Sequence, residues 1–149
     1  MIPNAFPPVF STVFTSAAAT LANVVGLTGA VNAGGTYRFH FYGAWSGSST
    51  AVTLRLSLTF PAAPTLLNFR VSMANAQGGV QTQLNFSETI SSTSASTAAV
   101  QINTRYPWEV EGVIRPSVAG AIQLQACNQA ASGTLTIPAG AVLLMAQEV

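Results

Sequence analysis

The chain has 149 residues, with five Arg, four Glu and one His but no Lys and no Asp, so charged residues make up 6% against about 25% in an ordinary soluble domain. The net charge of +1 and the scattered arginines exclude a basic nucleic-acid footprint, and the single Cys127 excludes an intrachain disulfide. The N-terminus lacks the positive region of a signal peptide, and the most apolar run, "AAATLANVVGLTGAV", is too short and too interrupted to span a bilayer, so no membrane partner is expected.

Residues 1–15 carry Pro3, Pro7 and Pro8, which disfavour helix and remove backbone donors, so this stretch reads as an extended arm. Ile2, Phe6, Phe10 and Phe14 are too apolar for a solvated tail. They are the arm's candidate partner-binding residues, expected to tie the chain to a neighbour and to add little to its own fold. Good helix formers allow a turn or two of helix within residues 16–25.

From Gly34 the text alternates strand-like runs with turns, as in a sandwich or barrel. Strands are expected over 36–44, 51–60, 67–74, 80–89, 98–103, 108–115, 122–127, 133–137 and 141–147. In "GGTYRFHF" the period of two puts Tyr37, Phe39 and Phe41 on one side and Arg38, His40 and Tyr42 on the other. The latter three are candidates for a subunit contact or an outer sheet face. In the second run Val52, Leu54, Leu56 and Leu58 face inward, and Thr53, Arg55, Ser57 and Thr59 outward. The Ser/Thr-rich stretch "SETISSTSASTAAVQ" reads as a loop plus an outer strand.

Catalysis needs titrating or attacking groups within hydrogen-bond reach of one another, and the chain has few. His40 reads as a structural histidine, Cys127 as a small buried hydrophobe, and neither as a catalytic residue. Glu109 and Glu111 share one face of a strand and are expected to pair with Arg105 or Arg115. An enzymatic reading requires Glu109, Glu111 and His40 to converge in one cleft. No Cys/His cluster is available for zinc, and no cofactor or metal site is expected. "NFS" at Asn85–Ser87 is a weak glycosylation match. Tyr42, Trp45 and Trp108 could stack on sugar rings, and a shallow groove holding either Trp beside Glu or Asn would favour a carbohydrate-binding module.

The segments "AGGTYRFHFYGAW" and "YPWEVEGVIRPSVAGAIQLQACNQAASGTLTIPAGAVLLMAQEV" resemble small jelly-roll proteins of tailed bacteriophages, and the order of their strands and turns is similar to trimeric tumour-necrosis-factor and C1q-type jelly rolls. The resemblance covers roughly residues 33–149. It implies an all-β jelly-roll β-sandwich over 33–149, preceded by an arm and first strand region over 1–32. It further implies a virion protein that forms homotrimers, either a decoration protein bound to the major capsid protein on the capsid surface or a fibre tip that binds a receptor or carbohydrate. A fibre tip would hang from a shaft, whereas this chain opens on a Pro-rich arm at Met1, which favours decoration. No enzymatic activity is expected.

Overall fold

The computed structural model describes residues 4–62, 64–74, 80–85, 91–94 and 101–148. Short strands β1 (Asn4–Ala5), β2 (Val9–Phe10) and β3 (Phe14–Ser16) precede β4 (Ala22–Val31), β5 (Thr36–Gly47) and β6 (Leu54–Thr59). The hairpin β7 (Leu66–Ala74) and β8 (Val80–Asn85) follows, then β9 (Ser91–Ser94), β10 (Tyr106–Arg115), β11 (Gly120–Asn128), β12 (Leu135–Ile137) and β13 (Val142–Glu148). The large sheet runs β1-β13-β5-β10-β7-β8, with β2 also on β13 and β12 joining β3 to β5. The small sheet runs β4-β11-β6-β9. All pairs are antiparallel, and the described residues contain no helix, hence none long and apolar enough to cross a membrane.

After β3 the chain steps repeatedly between the sheets: β4 small, β5 large, β6 small, β7 and β8 large, β9 small, β10 large, β11 small, β12 and β13 large. This makes the fold a jelly-roll β-sandwich. The rows meet in one core, with Tyr37, Phe39 and Phe41 facing Leu54, Leu56 and Leu58 as part of it. Phe14, Val24, Leu27 and Val31 belong to the same cluster as Val110 and Ile122, so residues before and after position 33 share one interior. Ser57 points outward yet is buried, because β6 lies between β11 and β9.

The arm is extended, as its prolines demand, and it lies on its own chain. Asn4 and Ala5 pair with Gln147 and Ala146, and Val9 and Phe10 pair with Leu143 and Val142. Pro7 and Pro8 have no N–H to donate, so the ladder along β13 is interrupted between β1 and β2. Ser11 then locks the end of the strap: its N–H donates to the Ala141 carbonyl at 2.8 Å, and its hydroxyl accepts from Ala141 N–H at 3.1 Å. Phe14 is buried in the core, and its strand pairs with β12. The arm therefore contributes to its own fold, against the expectation that it would add little.

Residues 16–25 form no helix. Val24 and Val25 are β-branched, and the segment pairs with β11 through a bulge. Between the pairs Gln123↔Thr28 and Gln125↔Asn23, one residue of β11 faces four of β4. Gly26 sits in that bulge at φ +91°, and a Cβ there would stand 2.3 Å from the Phe10 carbonyl oxygen of the strap. Gln123 Nε2 fills the gap, within 2.9–3.1 Å of the carbonyls of Val24, Leu27 and Leu124. Residues 101–103 are turn, not strand, and the rest of the strand expected over 98–103 lies outside the described residues. The "SETISSTSASTAAVQ" stretch does contain a strand, β9, at the edge of the small sheet.

Candidate functional site on the outer face of the large sheet

The register of β5, β10 and β7 decides which outward side chains become neighbours. His40 lies opposite Glu111, and Glu111 opposite Arg70; Tyr42 lies opposite Glu109, and Glu109 opposite Ser72. On the other side of β5, Leu144 flanks His40 and Val142 flanks Tyr42. Arg38, Arg70, Arg115, Glu109, Glu111 and Glu148 thus share one sheet face, six of the nine charged residues in the chain.

The charges neutralise one another locally. Arg38 pairs closely with Glu148, and Arg70 closely with Glu111. Arg70 Nη2 also stands 3.8 Å from Glu109, and His40 Nε2 lies 3.4 Å from Glu109 Oε2. The last contact has ion-pair distance without hydrogen-bond geometry: His40 Nε2 is shielded from solvent and makes no hydrogen bond. Arg115 turns instead to the Thr36 hydroxyl at 2.9 Å. Half-exposed pairs of this kind contribute ~0.2–1 kcal/mol each, so they orient side chains more than they stabilise the fold. The glutamates pair with Arg70 from the adjacent strand, not with Arg105 or Arg115 as expected from the sequence.

Two shallow depressions mark this face. A broad one of about 740 Å³ is bordered by Phe6, Arg38, Arg70, Glu111, Val113 and Leu144. A smaller one of about 350 Å³ is bordered by His40, Tyr42, Ser72, Pro107 and Glu109. Trp108 also borders it, but strand alternation turns the indole into the core, and the residue is 2% exposed. Trp45 is likewise buried, with its ring 5.3 Å from Tyr106, so neither tryptophan offers a stacking surface.

Of the expected contact residues, Arg38, His40 and Tyr42 lie on this outer face. Phe6 and Phe10 are exposed on the strap at its margin, Phe14 is buried, and Ile2 lies outside the described residues. The sequon at Asn85–Ser87 also falls largely outside them. Sequence reasoning missed Arg70, Val25 and Leu144. The Thr12 N–H donates to the Val25 carbonyl at 3.2 Å, which holds the strap backbone against β4. Phe10, Val13 and Val25 are 58%, 61% and 62% exposed, and Phe6 and Leu144 are exposed as well, all five on the strap or on the strands it contacts.

His40, Glu109 and Glu111 do gather on one face, but it is open to water and holds each carboxylate near an arginine. It lacks the enclosure that strengthens electrostatic steps in acid–base catalysis. Among the described residues no group of three or more His, Cys, Asp or Glu side chains is placed to hold a metal ion. Cys127 is buried on the small sheet, where desolvation pushes its thiol pKa up and the Arg55 cation partly opposes the shift.

No family model and no curated protein matches the chain. Among solved structures, the VP2 subviral particle of infectious bursal disease virus aligns with 97% of this chain and 40% of its own, at 10% identity and a TM-score of 0.27. A structure of the Gx strain of the same virus aligns with 99% of this chain and 41% of its own, at 11% identity and a TM-score of 0.23. The chain therefore spans about two fifths of the length of these neighbours. Superpositions this loose carry no functional argument.

Proposed function

We propose that this chain is a structural virion protein that decorates a capsid as a homotrimer seated on the major capsid protein. The observation that carries the reading is that Phe6, Phe10, Val13, Val25 and Leu144, five of the eight large exposed apolar residues among those described, lie on the strap and the strands it contacts. Large exposed apolar residues gathered in one region of a surface favour a contact site there. Each such side chain contributes ~1.5–3 kcal/mol when fully buried, and a net charge of +1 imposes little repulsion between copies. In this reading the strap edge of one copy meets the next, while the outer face of the large sheet stays available for other contacts.

Native mass spectrometry of the isolated protein at micromolar concentration tests the trimer. A trimer is expected, with Phe10→Ser plus Val13→Ser shifting it to monomer while the circular dichroism spectrum is preserved. A wild-type monomer would overturn the homotrimer. The decoration role is tested by adding the protein to shells that lack it, with saturable occupancy and a raised disassembly temperature expected. Shells that take up none of it overturn decoration and leave a fibre-tip receptor module as the surviving reading.

A further inference from the structure

We propose that copies of this chain join by a knob-in-hole contact, in which Phe10 of one copy enters the apolar cleft between the strap and β4 of the next. The inference rests on the reading of the chain as a homo-oligomer and names the contact that builds it.

The cleft exists because the strap bridges the two sheets at one end. At Ser11 and Thr12 it is bonded to both, through the Ala141 and Val25 carbonyls. Toward Pro7 and Pro8, which have no N–H with which to bridge the gap, strap and β4 stand on either side of a half-open cleft of about 170 Å³. Phe6, Pro7 and Val9 form its strap wall, and the buried Leu143 and Met145 its floor. Gly29 lets the Met145 side chain lie against β4, since a Cβ there would stand 2.2 Å from Met145 Sδ.

The lining selects the kind of group that fits. Its one polar side chain, Thr28, already donates its hydroxyl to the Ile122 carbonyl at 3.2 Å, and no charged side chain borders the cleft. Sugars and ions therefore find no partner in it. An apolar cavity of ~150 Å³ takes up a benzene-sized molecule, so this one suits a single phenyl ring.

Two of the described phenylalanines are exposed, and they differ. Phe6 belongs to the cleft wall, with its ring 6.2 Å from that of Tyr37. Phe10 is 58% exposed. Strand alternation turns Val9 toward the core and Phe10 away from it, so the Phe10 ring is on the wrong side of the strap to enter the cleft of its own chain. Knob and hole thus lie on different surfaces of one strap. Such a contact is heterologous, and heterologous contacts are the kind that close into rings such as a trimer.

The test is complementation on the full chain, read by native mass spectrometry. Phe10→Ser removes the knob, and Ala30→Trp, at an exposed position on the cleft rim, covers the hole. Each alone is expected to weaken self-association by ~10-fold or more, the worth of one buried ring. Mixed at a concentration where neither self-associates, the two should form a 1:1 complex that grows no further, because one partner keeps only a hole and the other only a knob. A second readout does not depend on Ala30→Trp folding. In Phe10→Ser with isotope-labelled methionine methyl groups, benzene is expected to shift the Met145 resonance and leave that of the core residue Met73 in place. Self-association unchanged in Phe10→Ser would overturn this contact while the homotrimer reading stands. A mixture that forms no complex, or a Met145 methyl that benzene does not move, would overturn it as well. A wild-type dimer whose variants complement would uphold the contact and overturn the trimer.

Discussion

The two sheets share one core but present opposite chemistry to water. The large sheet carries six of the nine charges, five of them in ion pairs across β13, β5, β10 and β7. The small sheet has Arg55 as its one charged side chain among the described residues, and its polarity comes from Asn23, Thr28, Gln123, Gln125 and Thr59. Four of those neutral groups bond within the sheet. Gln125 Nε2 donates to Asn23 Oδ1 at 2.9 Å, the Thr28 hydroxyl donates to the Ile122 carbonyl at 3.2 Å, and Gln123 serves the bulge. Amides can fill a backbone gap at a much lower desolvation cost than charges, so the irregular sheet uses amides. In the large sheet β5, β10 and β7 pair without a register shift, and the charges there pair with one another or, for Arg115, with the Thr36 hydroxyl.

The most severe way to break this comparison is to damage the core both sheets close over. Phe14→Ala is expected to cost ~3–5 kcal/mol, read as a lower urea midpoint, because the ring sits where the strap enters the interior. A loss below about 1 kcal/mol would mean the strap is an accessory after all.

Next in size is the amide brace. Gln123→Ala leaves the Val24 and Leu27 carbonyls of the bulge without their partner and is expected to cost ~1–3 kcal/mol. Gln125→Ala, whose partner is another half-exposed side chain, should cost less. Equal losses would show that the bulge needs no bracing.

That bulge also explains what the sequence concealed. Period two reads correctly in β5 and β6, where Tyr37, Phe39 and Phe41 and then Leu54, Leu56 and Leu58 are buried. In β4 the buried residues are Val24, Leu27 and Val31, spaced by three and four, because the extra residues shift the inward side partway along. The helix expected over 16–25 rested on the propensity of its Ala and Leu residues, which the pairing of Ala22–Val31 with β11 overrides. The candidate site was half legible. Alternation puts Arg38, His40 and Tyr42 on one face and Glu109 and Glu111 on another, but only the β5-β10-β7 order brings those faces together and adds Arg70. Arg105 and Arg115 were nearer along the chain, yet partners across a sheet are chosen by register.

The charged face should be the more tolerant of the two. Arg70→Met removes the hub of the Glu109 and Glu111 contacts and is expected to cost no more than ~1 kcal/mol, with the loss shrinking as salt is raised. A salt-independent loss of several kcal/mol would assign this network a stabilising role like that of the amide brace.

The smallest effect sharpens the comparison through the single thiol. Cys127 lies opposite Arg55 on the outward side of β11 and is fully buried. Desolvation pushes its pKa up, and the Arg55 cation opposes that by favouring thiolate. Because the folded value is raised, the unfolded chain releases the proton first as pH rises. The associated stability is therefore complete below the unfolded thiol pKa, about 8.5, and declines as pH climbs from there through the folded value. Urea midpoints at neutral pH and near pH 10 should fall further for the wild type than for Cys127→Ala, whose other titrating groups are the same. Arg55→Gln should enlarge the wild-type drop by removing the opposing cation. Parallel pH curves for wild type and Cys127→Ala would show that water reaches the thiol, and that the small sheet is less closed over this strand than the full burial of Cys127 implies.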